Sequence, residues 1–184
     1  MRLFFAVPLE DRVRRAVREA IERSRLRKAP WRWIDPANYH LTLKFLGEVE
    51  ESALPGLERA ASLAAAEALP FRIALRKFGG FPDLGRPRVL FYELSEGFEE
   101  LAALAAGIEE RCAGIGYERD KRRFRAHLTV ARVKTRISAG TAASLSEMEE
   151  IESVSQDVGR FVLMSSTLHR TGAVYEEVSS FPLG

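Results

Sequence analysis

One tetrapeptide occurs twice in this chain. His40-Leu41-Thr42-Leu43 returns as His127-Leu128-Thr129-Val130, half a chain length later. Two copies are too few for a solenoid and predict two similar halves, each supplying one central element. Both copies suit a β-strand, on which residues i and i+2 share a face. His40 and Thr42 then face one way and Leu41 and Leu43 the other, and His127 and Thr129 oppose Leu128 and Val130 in the same manner. Each strand buries an apolar face and offers an imidazole and a hydroxyl on the opposite one.

The elements around the two copies are predicted as follows. Residues 2–7 form an apolar run that reads as a buried strand. A helix over 10–28 carries Val13, Val17, Ala20 and Ile21 on one face and ends before Pro30. Residues 31–34 are short and extended, and 38–45 form a strand closed by Gly47. A second helix is expected over 52–68, with Ser52 as its N-cap and Pro70 beyond its end. Strands at 71–77 and 88–94 flank a loop at 78–83, and a third helix over 98–113 ends at Gly114 and Gly116. Then come a strand at 126–133, a short helix at 139–149, one long strand region at 156–169 and a last strand at 174–178. Strands and helices mix without strict alternation. That predicts an α+β fold of mainly antiparallel sheet, built as two similar lobes that could bring the two polar faces together across a cleft. No linker divides the chain, so residues 1–184 are expected to form one domain.

Composition narrows the function class. With 46% hydrophobic and 29% charged residues, the chain is neither a disordered tail, a collagen-like fibre nor a disulfide mini-protein. The 28 basic residues against 26 acidic ones leave a net charge of only +2, so bulk charge does not announce a nucleic-acid binder. Of those basic residues 23 are Arg; Arg suits bidentate phosphate recognition, although a gene rich in G and C gives the same bias. The single Cys112 falls among Leu101, Leu104, Ala105 and Ile108 at helical spacing, which predicts a buried thiol in a reducing cytoplasm, and one cysteine excludes an internal disulfide. The apolar start, ended by Pro8, is too short for a signal peptide. No stretch approaches the roughly 18 apolar residues of a membrane span. The Gly79-Gly80 pair reads as a turn. No Gly-rich loop ending in Lys-Ser/Thr occurs, which argues against ATP-driven chemistry.

Two imidazoles facing each other across a cleft make an acid–base pair. An unperturbed imidazole titrates near ~6.5, so one can take a proton while the other gives one. Each such group typically contributes roughly 10²–10⁴-fold to rate. The two Thr hydroxyls can hydrogen-bond the reacting group, and a phosphate has acceptor oxygens enough for all four side chains. This chemistry needs no metal and no cofactor.

The two motif blocks, Asn38-Tyr39-His40-Leu41-Thr42-Leu43-Lys44-Phe45-Leu46-Gly47-Glu48 and His127-Leu128-Thr129-Val130-Ala131-Arg132, resemble those of the 2H phosphoesterases. Within that superfamily the chain is similar to the bacterial and archaeal RNA 2′,3′-cyclic phosphodiesterases, also called 2′-5′ RNA ligases. The resemblance extends through Arg2-Leu3-Phe4-Phe5-Ala6-Val7, Trp33, Phe81-Pro82, Pro87-Arg88-Val89-Leu90, Phe124, Ser166-Thr167-Leu168, Gly172 and Tyr175. It departs at Ala126, where the family often has Pro, and at Val130, where Leu is usual. It implies two intertwined, pseudo-symmetric lobes of mainly antiparallel sheet with outer helices, related by a pseudo-two-fold axis, with the active-site cleft between them. It also implies hydrolysis of a terminal 2′,3′-cyclic phosphate on RNA to a 2′-phosphate, with reversible ATP-independent 2′-5′ ligation as the reverse chemistry. His40 would be the proton donor and His127 the proton acceptor, Thr42 and Thr129 would hold the phosphate, and Arg132 would contact it. Arg132 lies five residues after His127, hence on the wrong face of a regular strand; it reaches the cleft only through a bulge or at the strand end.

Other residues carry two readings. Regular alternation turns Phe45 away from His40 into the core; stacking on a base is the functional alternative. The run Arg119, Lys121, Arg122, Arg123 and Arg125 is either a solvated loop or a basic rim for the RNA backbone, with Arg123 and Arg125 next to the second motif. His169 forms a third His-x-Thr outside the repeat. Competing functions are a non-catalytic RNA-binding module, a 2H enzyme for small cyclic nucleotides, and a three-His metal site of His40, His127 and His169. The leading expectation is a cytoplasmic, monomeric, metal-free phosphodiesterase whose partner is RNA with a 2′,3′-cyclic end.

Overall fold

All strand pairings among the described residues are antiparallel, and they build two separate sheets. The computed structural model describes residues 1–148, 150–151, 154–168 and 173–184. In chain order the elements are β1 (Arg2–Pro8), α1 (Asp11–Arg23), β2 (Arg32–Trp33), β3 (His40–Glu48), α2 (Leu54–Ala66), β4 (Phe71–Phe81), β5 (Val89–Glu96), α3 (Phe98–Gly114), β6 (His127–Arg132), α4 (Ala139–Ser146), β7 (Val154–Val158), β8 (Arg160–Leu168) and β9 (Ala173–Pro182). One sheet has the order β3-β1-β8-β9 and the other β2-β6-β5-β4-β7.

The repeat in the sequence is a repeat in this topology. Overlaying β3-β1-β8-β9 on β6-β5-β4-β7 matches one motif strand to the other. The first half of the chain gives β1 and β3 to one sheet and sends β4 to the other. The second half gives β5 and β6 to that other sheet and returns β8 to the first. Each sheet is thereby completed by two strands from the opposite half, β8 and β9 in the first sheet and β2 and β4 in the second. The two motif strands β3 and β6 lie against each other where the sheets meet.

The core forms on the sheet faces turned away from this junction. From β1, Leu3, Phe5 and Val7 join it, whereas the alternate residues Phe4 and Ala6 do not; from β5, Leu90 and Tyr92 join it and Phe91 does not. Helix α1 covers it with Val13, Val17 and Ile21, spaced at one and two helical turns. Helix α3 contributes Leu101, Leu104, Ile108 and Cys112, and packs on the small face Ala60, Ala61 and Ala64 of α2. Burial pushes the Cys112 thiol up to about 11, so it stays protonated.

Several predicted boundaries move. Helix α1 stops at Arg23 instead of Lys28, and a 3₁₀ turn follows over Arg25–Lys28. Ser24 is the breaker: it is extended, and its Oγ–H donates to the Ile21 carbonyl at 2.8 Å, taking an acceptor the helix would need. Ser52 does not cap α2. It lies in a 3₁₀ turn, Glu51–Ala53, and the helix starts at Leu54 with Pro55 in its first turn, where a missing N–H costs nothing. Strand β4 runs on to Phe81, through most of the predicted loop. The long strand region at 156–169 is two strands, β7 and β8, in different sheets, divided at Gly159.

Candidate active site

The two motif strands break regular alternation at the same point. In β3, Thr42 pairs with Ala6 and Lys44 with Phe5, leaving Leu43 as an extra residue; in β6, Thr129 pairs with Phe91 and Ala131 with Leu90, leaving Val130 as the extra one. A bulge of this kind shifts the later residues to the other face. Burial follows it. Leu43 and Lys44 are buried in succession, as are Val130 and Ala131, while Phe45 and Arg132 emerge exposed. Position five after each His therefore lies on the His face. Arg132 emerges on the face of His127 by this route, and the expectation that Phe45 enters the core fails. Phe45 is 61% exposed, with its ring against Phe4, centroids 5.6 Å apart.

Both imidazoles are anchored alike. His40 Nδ1–H donates to the Asn38 carbonyl at 2.8 Å, and His127 Nδ1–H to the Arg125 carbonyl at 2.7 Å. A carbonyl can only accept, so each neutral ring carries its proton on Nδ1 and leaves Nε2 as the basic nitrogen. The Thr42 hydroxyl then donates to His40 Nε2 at 3.1 Å. Asn38 is itself held, its Nδ2 donating to the Ala173 carbonyl at 3.0 Å. Aromatic rings wall each imidazole. Phe4 and Tyr175 lie 4.9 and 5.2 Å from His40, and Phe81 and Phe91 lie 5.2 and 5.5 Å from His127. Gly79 makes room for the Phe91 ring, since a Cβ there would come within 2.8 Å of it.

These walls set the titration. Burial is the largest cause that holds both imidazoles below their ordinary value. The carbonyl acceptors oppose it. The charge of His127 lowers His40 further, and the guanidinium groups of Arg125 and Arg132 lower His127. His40 thus feels the charge of His127, and His127 feels the permanent charges of Arg125 and Arg132.

The remaining candidates divide. Arg123 and Arg125 line a cavity beside His127; Arg125 stacks over Phe81, 4.6 Å from the ring centroid, and lies 3.8 Å from Glu93. Arg119 instead pairs with Glu110 of α3, both side chains exposed. His169 lies outside the described residues. Among the described residues no group of three or more His, Cys, Asp or Glu side chains is positioned to hold a metal ion, and no helix is long and apolar enough to cross a membrane.

Lys44 has a role that the spacing does not reveal. The bulge turns it inward, 5% exposed, where its Nζ donates to Glu109 Oε1 at 2.8 Å and to the Glu118 carbonyl at 2.9 Å. The same carboxylate oxygen accepts the Asp120 N–H at 2.7 Å. One buried charge thereby ties β3 to α3 and to the loop that leads into His127. A lysine on a strand normally signals solvent, so no sequence cue marks it.

The pattern of the family described as LigT like Phosphoesterase matches residues 7–91 and again 93–175, one match for each His-x-Thr motif. An RNA 2′,3′-cyclic phosphodiesterase of Thermus thermophilus is 38% identical, over 100% of this chain and 90% of that protein. One of Archaeoglobus fulgidus is 35% identical, over 98% and 99%. The crystal structure of TT0787 of Thermus thermophilus superposes with a TM-score of 0.83 at 33% identity, covering 100% of this chain and 98% of that one. With its two halves each matched and its two motif strands packed against each other, the chain belongs to the LigT-like phosphoesterases of the 2H superfamily.

Proposed function

We propose that this enzyme hydrolyses the terminal 2′,3′-cyclic phosphate of RNA to a 2′-phosphate, by two-histidine acid–base catalysis without metal or cofactor. The observation that carries the reading is the matched pair of imidazoles, each fixed through Nδ1 with Nε2 as its basic nitrogen. His127 Nε2 takes a proton from water as the water oxygen bonds to phosphorus. The bond from phosphorus to the 3′ oxygen breaks, and His40 Nε2–H protonates that oxygen. The division follows from charge. Arg125 and Arg132 favour a neutral His127, a base, and His40 loses its repulsion once His127 is neutral. The anionic phosphodiester raises the proton affinity of His40 on binding.

Thr42, Thr129 and Arg132 hold the phosphoryl oxygens and stabilise the charge that builds there. Phe45, exposed on the His40 side, offers a face on which a base stacks. Arg123 and Arg125, with Arg122, draw the polyanion to the cleft, so KM for an oligonucleotide rises with salt. The likeness to proteins named RNA 2′,3′-cyclic phosphodiesterases supports the substrate class. Reversal of the same displacement joins strands through a 2′-5′ bond without ATP. The protein works as a single-domain monomer in the cytoplasm, where its one cysteine stays reduced. The test is turnover of a short RNA with a 2′,3′-cyclic end in the presence of chelator, with the product phosphate located. The expected product is the 2′-phosphate at an unchanged rate; a 3′-phosphate, or loss of activity restored by zinc, contradicts the proposal.

A further inference from the structure

Two arginines stand directly opposite each other beside the second motif. Strand β2 is the edge of the second sheet, and its Arg32 pairs with Arg132 of β6. Opposed residues of neighbouring strands put their side chains on the same face, with the strands about 4.8 Å apart. The next pair, Trp33 with Ala131, packs on the core. Arg32 and Arg132 therefore project from the other face, and both are exposed. That is the face of His127 and Thr129, onto which the bulge at Val130 turns Arg132. On its other flank Arg132 meets Val89, which carries no charge.

Like charges directly opposite each other destabilise a strand pair. Among the described residues no carboxylate pairs with either guanidinium. At the other edge of the same sheet the rule is kept: Arg72 of β4 stands opposite Asp157 of β7, and the two pair at 3.8 Å. The internal repeat gives Arg32 no counterpart. Strand β3 is an edge with no strand in the place of β2, and the equivalent of Arg132 is Phe45. A repulsion built into one half alone, on the face of the site, marks a place for an anion.

Charge says which anion. A cyclic phosphodiester carries one negative charge, and Arg132 answers it. Two guanidinium groups that repel each other spread apart, so the second meets a separate charge. In RNA the nearest one is the phosphate on the 5′ oxygen of the same terminal nucleotide. We infer that Arg32 binds this phosphate, next to the cyclic phosphate that Arg132 meets. This rests on the hydrolytic reading above and not on which histidine is the acid. Arg32 thereby makes the protein favour a cyclic end on a chain over a cyclic mononucleotide with a free 5′-hydroxyl, since only the chain brings the second phosphate. Main-chain pairing of β2 with β6 fixes where Arg32 stands, so the subsite needs no ordering of a loop.

The experiment uses the full chain and two substrates, a 2′,3′-cyclic mononucleotide with a 5′-hydroxyl and a dinucleotide with the same cyclic end. Kinetics over a range of salt are compared for the unaltered protein, Arg32→Gln and Arg32→Lys, with the melting temperature of each. The expected result is that Arg32→Gln raises KM for the dinucleotide about tenfold, the loss of one hydrogen-bonded charge, and leaves turnover of the mononucleotide within about twofold. The slope of log kcat/KM against log salt for the dinucleotide becomes shallower by about 0.7, one phosphate contact, and Arg32→Lys restores it. The melting temperature of Arg32→Gln holds or rises, because a repulsion is removed. Equal losses on both substrates put Arg32 on the reacting phosphate or, with a lower melting temperature, in the scaffold, and either overturns the inference. So does an unchanged KM for the dinucleotide, or a salt slope that Arg32→Lys does not restore. If the unaltered protein turns over neither substrate, the hydrolytic reading itself fails, and the subsite with it.

Discussion

The halves around His40 and His127 share a backbone and differ in what they hang on it. Strand pairing, bulge position and the carbonyl that fixes Nδ1 are the same in both. Five residues after the histidine, one half has Phe45 and the other Arg132. Two residues before it, one has Asn38 and the other Arg125. The neighbouring strand offers Pro8 in one half and Glu93 in the other. Strand β3 is an edge strand, whereas β6 gains β2 as a further neighbour, with Trp33 paired to Ala131. Symmetry supplies two imidazoles of one geometry, and the substituents make them unequal. A cation at position five in one half and an aromatic ring there in the other turn a symmetric scaffold into a directional site.

The harshest way to break the comparison is to remove either ring. His40→Ala and His127→Ala should each lower kcat/KM by about 10³-fold, within the range of general acid–base groups, and the double variant should be little worse. Steady-state kinetics on a cyclic-ended RNA measures this. Retention of most of the rate by one single variant would remove that histidine from the mechanism.

Position five separates the halves next. Arg132→Gln should cost about 10²-fold in kcat/KM, as removal of one charge-stabilising donor does. It should also move the acid limb of the pH profile to higher pH, because a cation beside the base is gone. Phe45→Ala should leave both limbs in place and raise KM for RNA about fivefold, the loss of one stacked base. In the unaltered protein both imidazoles titrate below ~6.5, so the optimum of kcat/KM should lie below that value. An optimum above it would contradict the electrostatic account of the site.

Lys44 tests what joins the halves. Lys44→Met strips the partly buried carboxylate of Glu109 of its counter-charge and frees the loop before β6. It should cost about 2 kcal/mol in denaturant unfolding. The smallest effect is on the pH dependence of stability. Both histidines bind protons more weakly folded than unfolded, so the unfolded chain holds more protons at mildly acidic pH. Their contribution is complete above the unfolded value near ~6.5 and is lost as pH falls through the folded values. Replacing both by Gln should flatten that slope in unfolding curves.

The sequence made the face-sharing of His40 with Thr42 and of His127 with Thr129 legible, because nothing interrupts the strand within the tetrapeptide. It also made α1 legible, since Val13, Val17 and Ile21 repeat at the helical period. The side on which Phe45 and Arg132 emerge was not legible. A bulge is a mismatch between two strands, and its cause lies in the pairing with β1 or β5, not in the motif. Lys44 was hidden for the same reason. The change of sheet at Gly159 was hidden because strands buried in either sheet show the same apolar run; Phe161, Val162 and Leu163 are all buried in succession.

The division of labour between the two rings is the centre of this account, and a substrate whose leaving group needs no proton tests it directly. In a 2′,3′-cyclic phosphorothiolate with sulfur at the 3′ position, the group expelled is a thiolate, stable without protonation at neutral pH. His40→Ala, lacking only the acid, should recover most of the rate of the unaltered protein on this substrate, while His127→Ala, lacking the base, should stay inactive. Recovery by His127→Ala with an inactive His40→Ala would exchange the two roles, and recovery by neither would mean that proton donation to the 3′ oxygen is not what His40 does.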